Sequence, residues 1–166
     1  MGKSPNTVVD KRTSSVAAMF NSIAPSYDFL NHLLSLGIDK LWRRRLVKRL
    51  LRNNPGEVLD VATGTADLAI MAAPKAERVT GIDISEGMLS YGRIKVTKRQ
   101  LEKKVTLQQA DSTALPFADG TFDAVTVAFG VRNFEDLQRG LLEMFRVLKP
   151  NGRLFVLEFS KPQHTP

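Results

Sequence analysis

Hydrophobic residues recur at helical spacing through the first third of the chain. A first helix is predicted from the apolar positions Val16, Met19, Phe20 and Ile23, which lie between the capping candidates Ser14 and Ser15 and the helix breaker Pro25. A second short helix is predicted over residues 29–37, closed by Gly37. A third is predicted to begin at a cap at Asp39 and to end at residues 53–56.

From residue 57 onward, short apolar runs alternate with stretches that suit helices. The runs are typical of buried strands: EVLDVA, RVTGID, KVTLQQ, FDAVTVAF and GRLFVLEF. Helices are predicted between them over residues 67–73, 86–103 and 135–148, the last with Asn133 as a cap and residues 150–152 as its stop. This alternation predicts an α/β fold with parallel βαβ units and a doubly wound sheet.

The composition fits one domain. The chain has 166 residues, of which 43% are hydrophobic and 25% charged. Within that domain we expect a helical lid and a basic helix over residues 1–55, and the α/β core over residues 56–166. The absence of cysteine excludes disulfides, thiolate catalysis and cysteine-based metal sites, and with two histidines no metal site is expected.

Neither a membrane span nor a secretion signal is visible. No apolar run approaches the ~20 residues that cross a bilayer, and the polar start MGKSPNTVVDKR lacks an apolar signal core. The sequence therefore predicts a cytoplasmic protein, with contact to the membrane surface left open.

Candidate ligand-binding residues follow the first three strands. Ligands of open α/β sheets bind beyond the carboxyl ends of the strands, where strand order reverses. The first strand leads into a turn of small residues around Gly64, which lets backbone amides approach a ligand. The second ends at Asp83, which suits the two hydroxyls of a ribose, and the third is followed by Asp111 and Ser112, where a carboxylate can accept from an adenine amine.

These residues favour S-adenosylmethionine over a dinucleotide. The turn lacks the G-x-G-x-x-G order, and the carboxylate of Asp67 would oppose a pyrophosphate, whereas a sulfonium and an ammonium tolerate an acidic rim. Structural alternatives remain open, because such turns favour small residues anyway and Asp83 could simply cap the next helix. Met88 could cover an adenine face or could be an ordinary core residue.

Longer motifs carry a resemblance to a known family. They are DVATGTADLA, GIDIS, QADSTALPFADGTFD, VAFGVRNF and RVLKPNGRLFVLEFSKP, preceded by YDFLNHLLSLGIDKLW. Over residues 19–162 the chain resembles the UbiE/MenG family, the S-adenosylmethionine-dependent C-methyltransferases of menaquinone and ubiquinone biosynthesis. It departs from that pattern where the family more often has glycine (Ala62 and Ala66), often histidine (Asp39) and often serine (Ala128).

The resemblance implies a Rossmann-like methyltransferase fold and a role for each candidate. Gly64 and Thr65 would line the methionine end of the cofactor, Asp83 the ribose, and Asp111 with Ser112 the adenine. The implied reaction moves a methyl group from sulfur to a ring carbon of a polyprenylated quinol such as demethylmenaquinol. The alternatives are another small-molecule substrate or an RNA-methylating module.

The quinol reaction needs a group that assists loss of a hydroxyl proton. Arg132 and Asn133 are the candidates for holding the developing phenolate, against the alternatives of a salt-bridged arginine and a capping asparagine. The helices expected to cover the pocket carry Tyr27, Asp28, Asn31 and His32. His32 could be a base or a structural residue.

The positive charge is concentrated on two segments. Lys+Arg 24 against Asp+Glu 17 gives a net charge of +7. Over residues 40–52 the predicted helix carries seven basic side chains, and with Trp42 and its leucines it is typical of a helix that lies on an anionic membrane. A solvated face or a nucleic-acid surface are the alternatives, although no nucleic-acid-binding motif accompanies the charge. A second basic run over residues 93–104 is interpreted as solvated.

The end of the chain differs from what this fold leads us to expect. Methyltransferases of this fold add two antiparallel strands after the fifth, and residues 163–166 cannot supply them. We therefore expect a truncated chain that binds the cofactor in part, does not transfer methyl groups, and exposes a sheet edge to pairing between copies.

Overall fold

Five parallel strands form a single sheet in the computed structural model, which describes residues 13–28 and 38–159. They are β1 (Glu57–Val61), β2 (Arg78–Asp83), β3 (Val105–Gln109), β4 (Phe122–Ala128) and β5 (Leu148–Leu157). The strand order is β3-β2-β1-β4-β5, so the order reverses between β1 and β4. The helix predicted over residues 29–37 lies outside the described residues, as do Asn31 and His32.

Within residues 13–28 and 38–159, five helices accompany the sheet. They are α1 (Thr13–Ile23), α2 (Ile38–Leu50), α3 (Asp67–Ala72), α4 (Glu86–Lys98) and α5 (Leu137–Val147). Single 3-10 turns follow α1, α2 and β4, over Ala24–Ser26, Leu51–Asn53 and Val131–Asn133. The helices predicted around Val16, over residues 40–52 and over residues 67–73 are confirmed to within a few residues. The helix after β2 ends at Lys98, five residues earlier than predicted.

The core lies on both faces of the sheet. Alternate residues of the central strand β1 enter two clusters: Val58 packs with residues of α3 and α4, whereas Leu59 packs with Met144 and Val147 of α5. β1 is buried almost throughout because both of its faces are covered. The predicted doubly wound α/β fold is therefore confirmed.

Three local predictions were wrong. Asn133 does not cap α5; it ends a 3-10 turn, and the cap is Asp136, whose side chain accepts from the Arg139 amide at 2.9 Å. Residues 150–152 do not precede β5 but lie within it, at a register irregularity with Asn151 at φ +66°. Asp39 lies inside the first turn of α2, where it pairs with Arg43.

Within the described ranges, no helix has the length and apolar character needed to span a membrane.

Candidate active site

A crevice that is partly open to solvent lies at the carboxyl ends of the strands around the β1/β4 reversal. Its walls include four of the five cofactor-binding candidates and one of the two catalytic candidates: Gly64, Asp83, Asp111, Ser112 and Asn133. Tyr27 and Met88 also line it. The carboxyl-end position follows from the parallel topology, because all five strands end at this edge.

Asp83 ties two turns of the crevice together. Its Oδ2 accepts from the Gly64 amide at 2.9 Å and its Oδ1 accepts from the Ser85 amide at 2.9 Å. Burial raises the pKa of the Asp83 carboxyl above its ordinary value, and these amide hydrogen bonds oppose the rise. Asp83 does not cap α4, since the cap is Ser85.

Asp111 is held in a fixed orientation by its own loop. Its Oδ1 accepts from both the amide and the hydroxyl of Thr113, each at 2.8 Å. This local pattern is common for aspartate in a turn. It leaves Asp111 and Asp83 on the same wall, at the ends of the neighbouring strands β3 and β2.

The turn after β1 has a backbone that favours glycine. Ala62 has φ +54°, Gly64 φ +58° and Ala66 φ +66°, all in the left-handed region. The two alanines therefore occupy this region despite their Cβ atoms, at the two positions where the resemblance expects glycine. A Cβ at Gly64 would lie 3.3 Å from Met88 Cε, so the glycine also keeps the crevice wall close to the Met88 side chain.

Thr65 does not line the crevice with its side chain. It is buried, and its hydroxyl lies 2.5 Å from Asp28 Oδ1 and 3.0 Å from Lys95 Nζ. Lys95 also pairs with Asp28 at 2.8 Å and with Asp67. The Thr65 side chain thus belongs to a network of charged groups beneath the turn.

Arg43 extends this network to α2. It is 3.0 Å from Asp67 Oδ2 and 3.4 Å from Asp39 Oδ2, with only 8% of its side chain exposed. The prediction that Arg43 belongs to an exposed basic face is wrong, because its cation is needed between two carboxylates. Trp42 is also turned inward, half-buried and 6.4 Å from the Phe129 ring.

The two catalytic candidates separate in space. Asn133 lines the crevice, whereas Arg132 is largely exposed, 3.2 Å from Glu158 Oε1 and over the ring of Phe159. Arg132 is therefore salt-bridged, which is the alternative to a catalytic role that the sequence left open. Tyr27 lines the same crevice, and burial raises the pKa of its phenol, with the positive charge of Arg43 opposing the rise.

Asp60 is a buried acid that the sequence did not indicate as a candidate. It is fully buried in β1 and accepts from Thr63 Oγ1 at 2.6 Å and Thr126 Oγ1 at 2.7 Å. Burial raises the pKa of its carboxyl to about 6. The sequence signal available was a charged residue among the apolar residues Val58, Leu59 and Val61 of β1.

The helix α1 contributes to the crevice wall. Thr13, Val16 and Phe20 line the cavity, and none of the residues of α1 is fully buried. The crevice therefore combines apolar side chains from α1 with the carboxylates of Asp83 and Asp111.

The side chains that line the crevice fit S-adenosylmethionine. Two carboxylates on neighbouring strand ends suit a ribose and an adenine amine, and an acidic wall suits a cationic ligand better than a pyrophosphate. The turn at Gly64 gives the close backbone approach such a ligand needs. Fold and crevice together define the Rossmann-like methyltransferase class.

Comparison with known proteins identifies the family. Residues 6–166 match the ubiE/COQ5 methyltransferase family, and the chain belongs to it. It is 52% identical over 158 residues to the demethylmenaquinone methyltransferase of Bacteroides fragilis, covering 94% of this chain and 64% of that protein. It is 51% identical over 148 residues to the ubiquinone/menaquinone biosynthesis C-methyltransferase UbiE of Geobacter sulfurreducens, covering 87% and 58%.

A solved structure supports the fold. The SAM-dependent methyltransferase of Aquifex aeolicus is similar with a TM-score of 0.59 and 27% identity, over 72% of this chain and 68% of that chain. The chain spans 64% and 58% of the length of the two curated relatives above.

Proposed function

We propose that the protein transfers a methyl group from S-adenosylmethionine to a ring carbon of a polyprenylated quinol, with demethylmenaquinol as the substrate. The observation that carries the proposal is that Asp83 and Asp111 both line the crevice at the strand reversal. Family membership and the names of the relatives support the reaction and the substrate class.

The binding roles follow from the crevice. Asp83 would accept from the ribose hydroxyls, and Asp111 with the Ser112 backbone would meet the adenine. Gly64 would let the backbone approach the methionine end, while Thr65 would contribute through its main chain, because its hydroxyl is engaged with Asp28 and Lys95. Met88 is both buried and part of the wall, so it would pack against the adenine.

The bound cofactor supplies an electrophilic methyl group on a positively charged sulfur. The protein must then hold the quinol ring in line and help its hydroxyl lose a proton, so that electron density moves to the adjacent carbon. Asn133, which lines the crevice, would donate its amide hydrogens to the developing phenolate. Arg132 would act once it releases Glu158, because its guanidinium now serves that salt bridge.

The crevice walls suit an aromatic ring. Phe20 contributes from α1, and Phe129 and Phe134 from the segment after β4. Apolar walls would exclude water from a phenolate and strengthen its interaction with nearby donors. The relatives' names point to a quinol, and the walls are compatible with one.

Methyl transfer can be measured directly. The chain, extended to the full length of its curated relatives, is incubated with methyl-labelled S-adenosylmethionine and demethylmenaquinol in detergent micelles, with transfer RNA in a parallel reaction. We expect label in the quinol and none in RNA, and label found only in RNA would overturn the proposal. Asp83→Asn should slow the transfer at subsaturating S-adenosylmethionine, whereas Asp119→Asn, which removes an exposed carboxylate, should leave it unchanged.

We further propose that the protein acts at the inner face of the cell membrane, through α2 and the 3-10 turn after it. Arg43 is buried, but the other basic side chains of this segment are exposed: Lys40, Arg44, Arg45, Lys48, Arg49 and Arg52. The exposed apolar side chains of Ile38 and Leu41 lie on the same helix. Such a surface suits anionic headgroups and would bring the crevice to a lipid-tailed substrate.

Pairing between copies through β5 is proposed as well. β5 is at the sheet edge among the described strands, and its Leu154 and Val156 side chains are exposed. Sedimentation velocity of the purified protein would show a dimer if it occurs, and a single monomeric species at high concentration would contradict it.

A further inference from the structure

Asn21, on the lid helix α1, reaches across to the turn between β2 and α4. Its Oδ1 accepts from Ser85 Oγ at 2.6 Å and from the Gly87 amide at 2.9 Å. The second contact satisfies one of the backbone amides that a helix leaves free in its first turn. One side-chain oxygen thus fastens α1 to the beginning of α4.

The turn that Asn21 holds is the one that orients the predicted ribose acid. Ser85 is completely buried, its amide donates to Asp83 Oδ1 at 2.9 Å, and its hydroxyl accepts from the Met88 amide at 3.1 Å. The hydroxyl has a single hydrogen, and that hydrogen goes to Asn21. Ser85 therefore connects Asn21 to two residues that line the crevice, Asp83 and Met88.

The opposite end of α1 is fastened to the other wall. The amide of Thr13 donates to Glu135 Oε2 at 3.0 Å, and its hydroxyl donates to the same oxygen. Glu135 follows β4, on the far side of the strand reversal from Asp83. α1 thus bridges the crevice from wall to wall.

Polar contacts have a large share in holding α1. No residue of the helix is fully buried, and Met19 is about half exposed. An element with so little buried apolar surface opens at low free-energy cost. Two hydrogen bonds at one end therefore have a large influence on how often the crevice is covered.

We propose that Asn21 is a positioning residue that latches α1 over the crevice and so controls how fast a bound adenosyl cofactor leaves. The inference rests on the proposed cofactor. With the latch closed, Ser85 and Asp83 are held in the orientation seen here and Phe20 covers the cavity. With it open, Phe20 moves off the cavity, the turn at Ser85 loses one of its supports, and the cofactor escapes.

The glycine at the other side of the latch gives an independent way to break it. A Cβ at Gly87 would lie 2.9 Å from Asn21 Oδ1 and 3.2 Å from Asn21 Cα, so the Asn21 side chain and the backbone of α1 would both have to shift. Gly87→Ala should therefore push α1 off the turn while leaving Asn21 intact. Asn21→Asp should keep the latch, because a carboxylate oxygen can accept both hydrogen bonds.

The test compares four variants with the parent protein: Asn21→Ala, Asn21→Asp, Gly87→Ala and the neighbouring control Ser22→Ala. Ser22 donates a hydrogen bond to the Met19 carbonyl within its own helix. Dissociation of labelled S-adenosylmethionine is followed by dilution, and amide hydrogen exchange is measured over α1 and over the sheet. The free energy of unfolding of each variant is measured alongside.

Asn21→Ala and Gly87→Ala should each speed cofactor dissociation about tenfold, as expected for the loss of two hydrogen bonds. Exchange should rise in α1 and stay unchanged in β1 and β4, and Asn21→Asp and Ser22→Ala should behave like the parent. Unchanged dissociation in Asn21→Ala, or equal effects of Asn21→Ala and Ser22→Ala, would overturn the latch. A parent protein that binds no S-adenosylmethionine would instead overturn the cofactor proposal.

Discussion

Asp83 and Gly64 are 19 residues apart and belong to different turns, yet the Asp83 carboxylate accepts the Gly64 amide at 2.9 Å. The same carboxylate accepts the Ser85 amide through its other oxygen. It therefore holds the turn after β1 against the turn after β2, in addition to facing the crevice. A substitution at Asp83 has a structural effect and a binding effect, and these can be separated.

Asp83→Asn should weaken binding of S-adenosylmethionine about 10- to 100-fold, because a charged acceptor for the ribose becomes a neutral one. Calorimetric titration measures the affinity. Asp83→Ala should also lower the free energy of unfolding by about 1–3 kcal/mol, since two amides lose their acceptor. Equal cofactor affinity in Asp83→Asn and the parent would contradict the ribose role.

Gly130 is packed directly against the strained turn after β1. A Cβ at Gly130 would lie 2.5 Å from the Cβ of Ala62. Gly130→Ala should therefore destabilise the protein by about 1–3 kcal/mol. The double variant Ala62→Gly with Gly130→Ala should recover that loss, because it removes both the clash and a Cβ at φ +54°.

Ala62→Gly alone serves as the control for this pair. It should not destabilise the protein, and relief at positive φ should offset the extra freedom of glycine in the unfolded chain. Urea denaturation of all three variants gives the comparison. No recovery in the double variant would show that Gly130 is required for another reason.

Asp60→Asn should make the protein more stable at neutral pH. The folded pKa of Asp60 is about 6, above the ~3.9 of an unfolded chain. The folded state therefore holds the proton more tightly, and this residue's contribution to stability is lost as pH rises from about 4 to about 6. Removing the titration should gain about 3 kcal/mol at pH 7 and little near pH 4.

The hydrogen bonds of Asp60 can survive this substitution. The asparagine oxygen can accept from Thr63, and its amide can donate to Thr126, whose hydroxyl also lies 3.4 Å from the Leu59 carbonyl. Denaturation curves at pH 4 and pH 7 for both proteins test the prediction. A stability difference that is the same at the two pH values would show that Asp60 does not titrate in this range.

Arg43→Met should destabilise the protein by about 3 kcal/mol, because it removes a buried cation that lies beside Asp39 and Asp67. The adjacent Arg44 is exposed, so Arg44→Ala should change the free energy of unfolding by less than about 0.5 kcal/mol. Urea denaturation measures both. Equal effects would mean that Arg43 behaves as a surface residue.

Neutralising the exposed face of α2 should reduce binding to anionic vesicles at least tenfold, since each cation near such a surface contributes about 1 kcal/mol. The variant replaces three residues by glutamine: Arg45, Lys48 and Arg49. The control replaces three exposed residues of the second basic run: Lys98, Arg99 and Lys103.

Co-sedimentation with phosphatidylglycerol vesicles, and with phosphatidylcholine vesicles as the uncharged comparison, measures the binding. The α2 variant should lose its binding to phosphatidylglycerol, and the control should keep it despite the same change in net charge. Equal losses in both variants would point to net charge in place of a membrane-binding face.

The strands and the crevice acids were predictable from sequence because they depend on local patterns. A buried parallel strand is an apolar run, and its carboxyl end falls where the run stops, so Asp83 and Asp111 could be placed without knowing any contact. The positive φ of Ala62 and Ala66 could be predicted only from the family resemblance, because that family more often has glycine at these two positions.

Contacts between side chains that are distant along the chain could not be predicted from the sequence. The cation of Arg43 is buried because Asp67, 24 residues further along the chain, lies beside it, and a helix rich in arginine gives no sign of which residue turns inward. The start of α5 was misplaced because two good capping residues, Asn133 and Asp136, compete, and the intervening 3-10 turn decides between them. Asn21 looks like an ordinary surface residue until Ser85 is beside it.

The bridge made by α1 also bears on the order in which the chain folds. Thr13 and Glu135 are 122 residues apart in sequence, and closing so long a loop costs more entropy than joining neighbouring strands. Glu135 is in place only after β4 has joined the sheet. We therefore expect α1 to dock late in folding, so that the crevice acquires its full lining only after the sheet has formed.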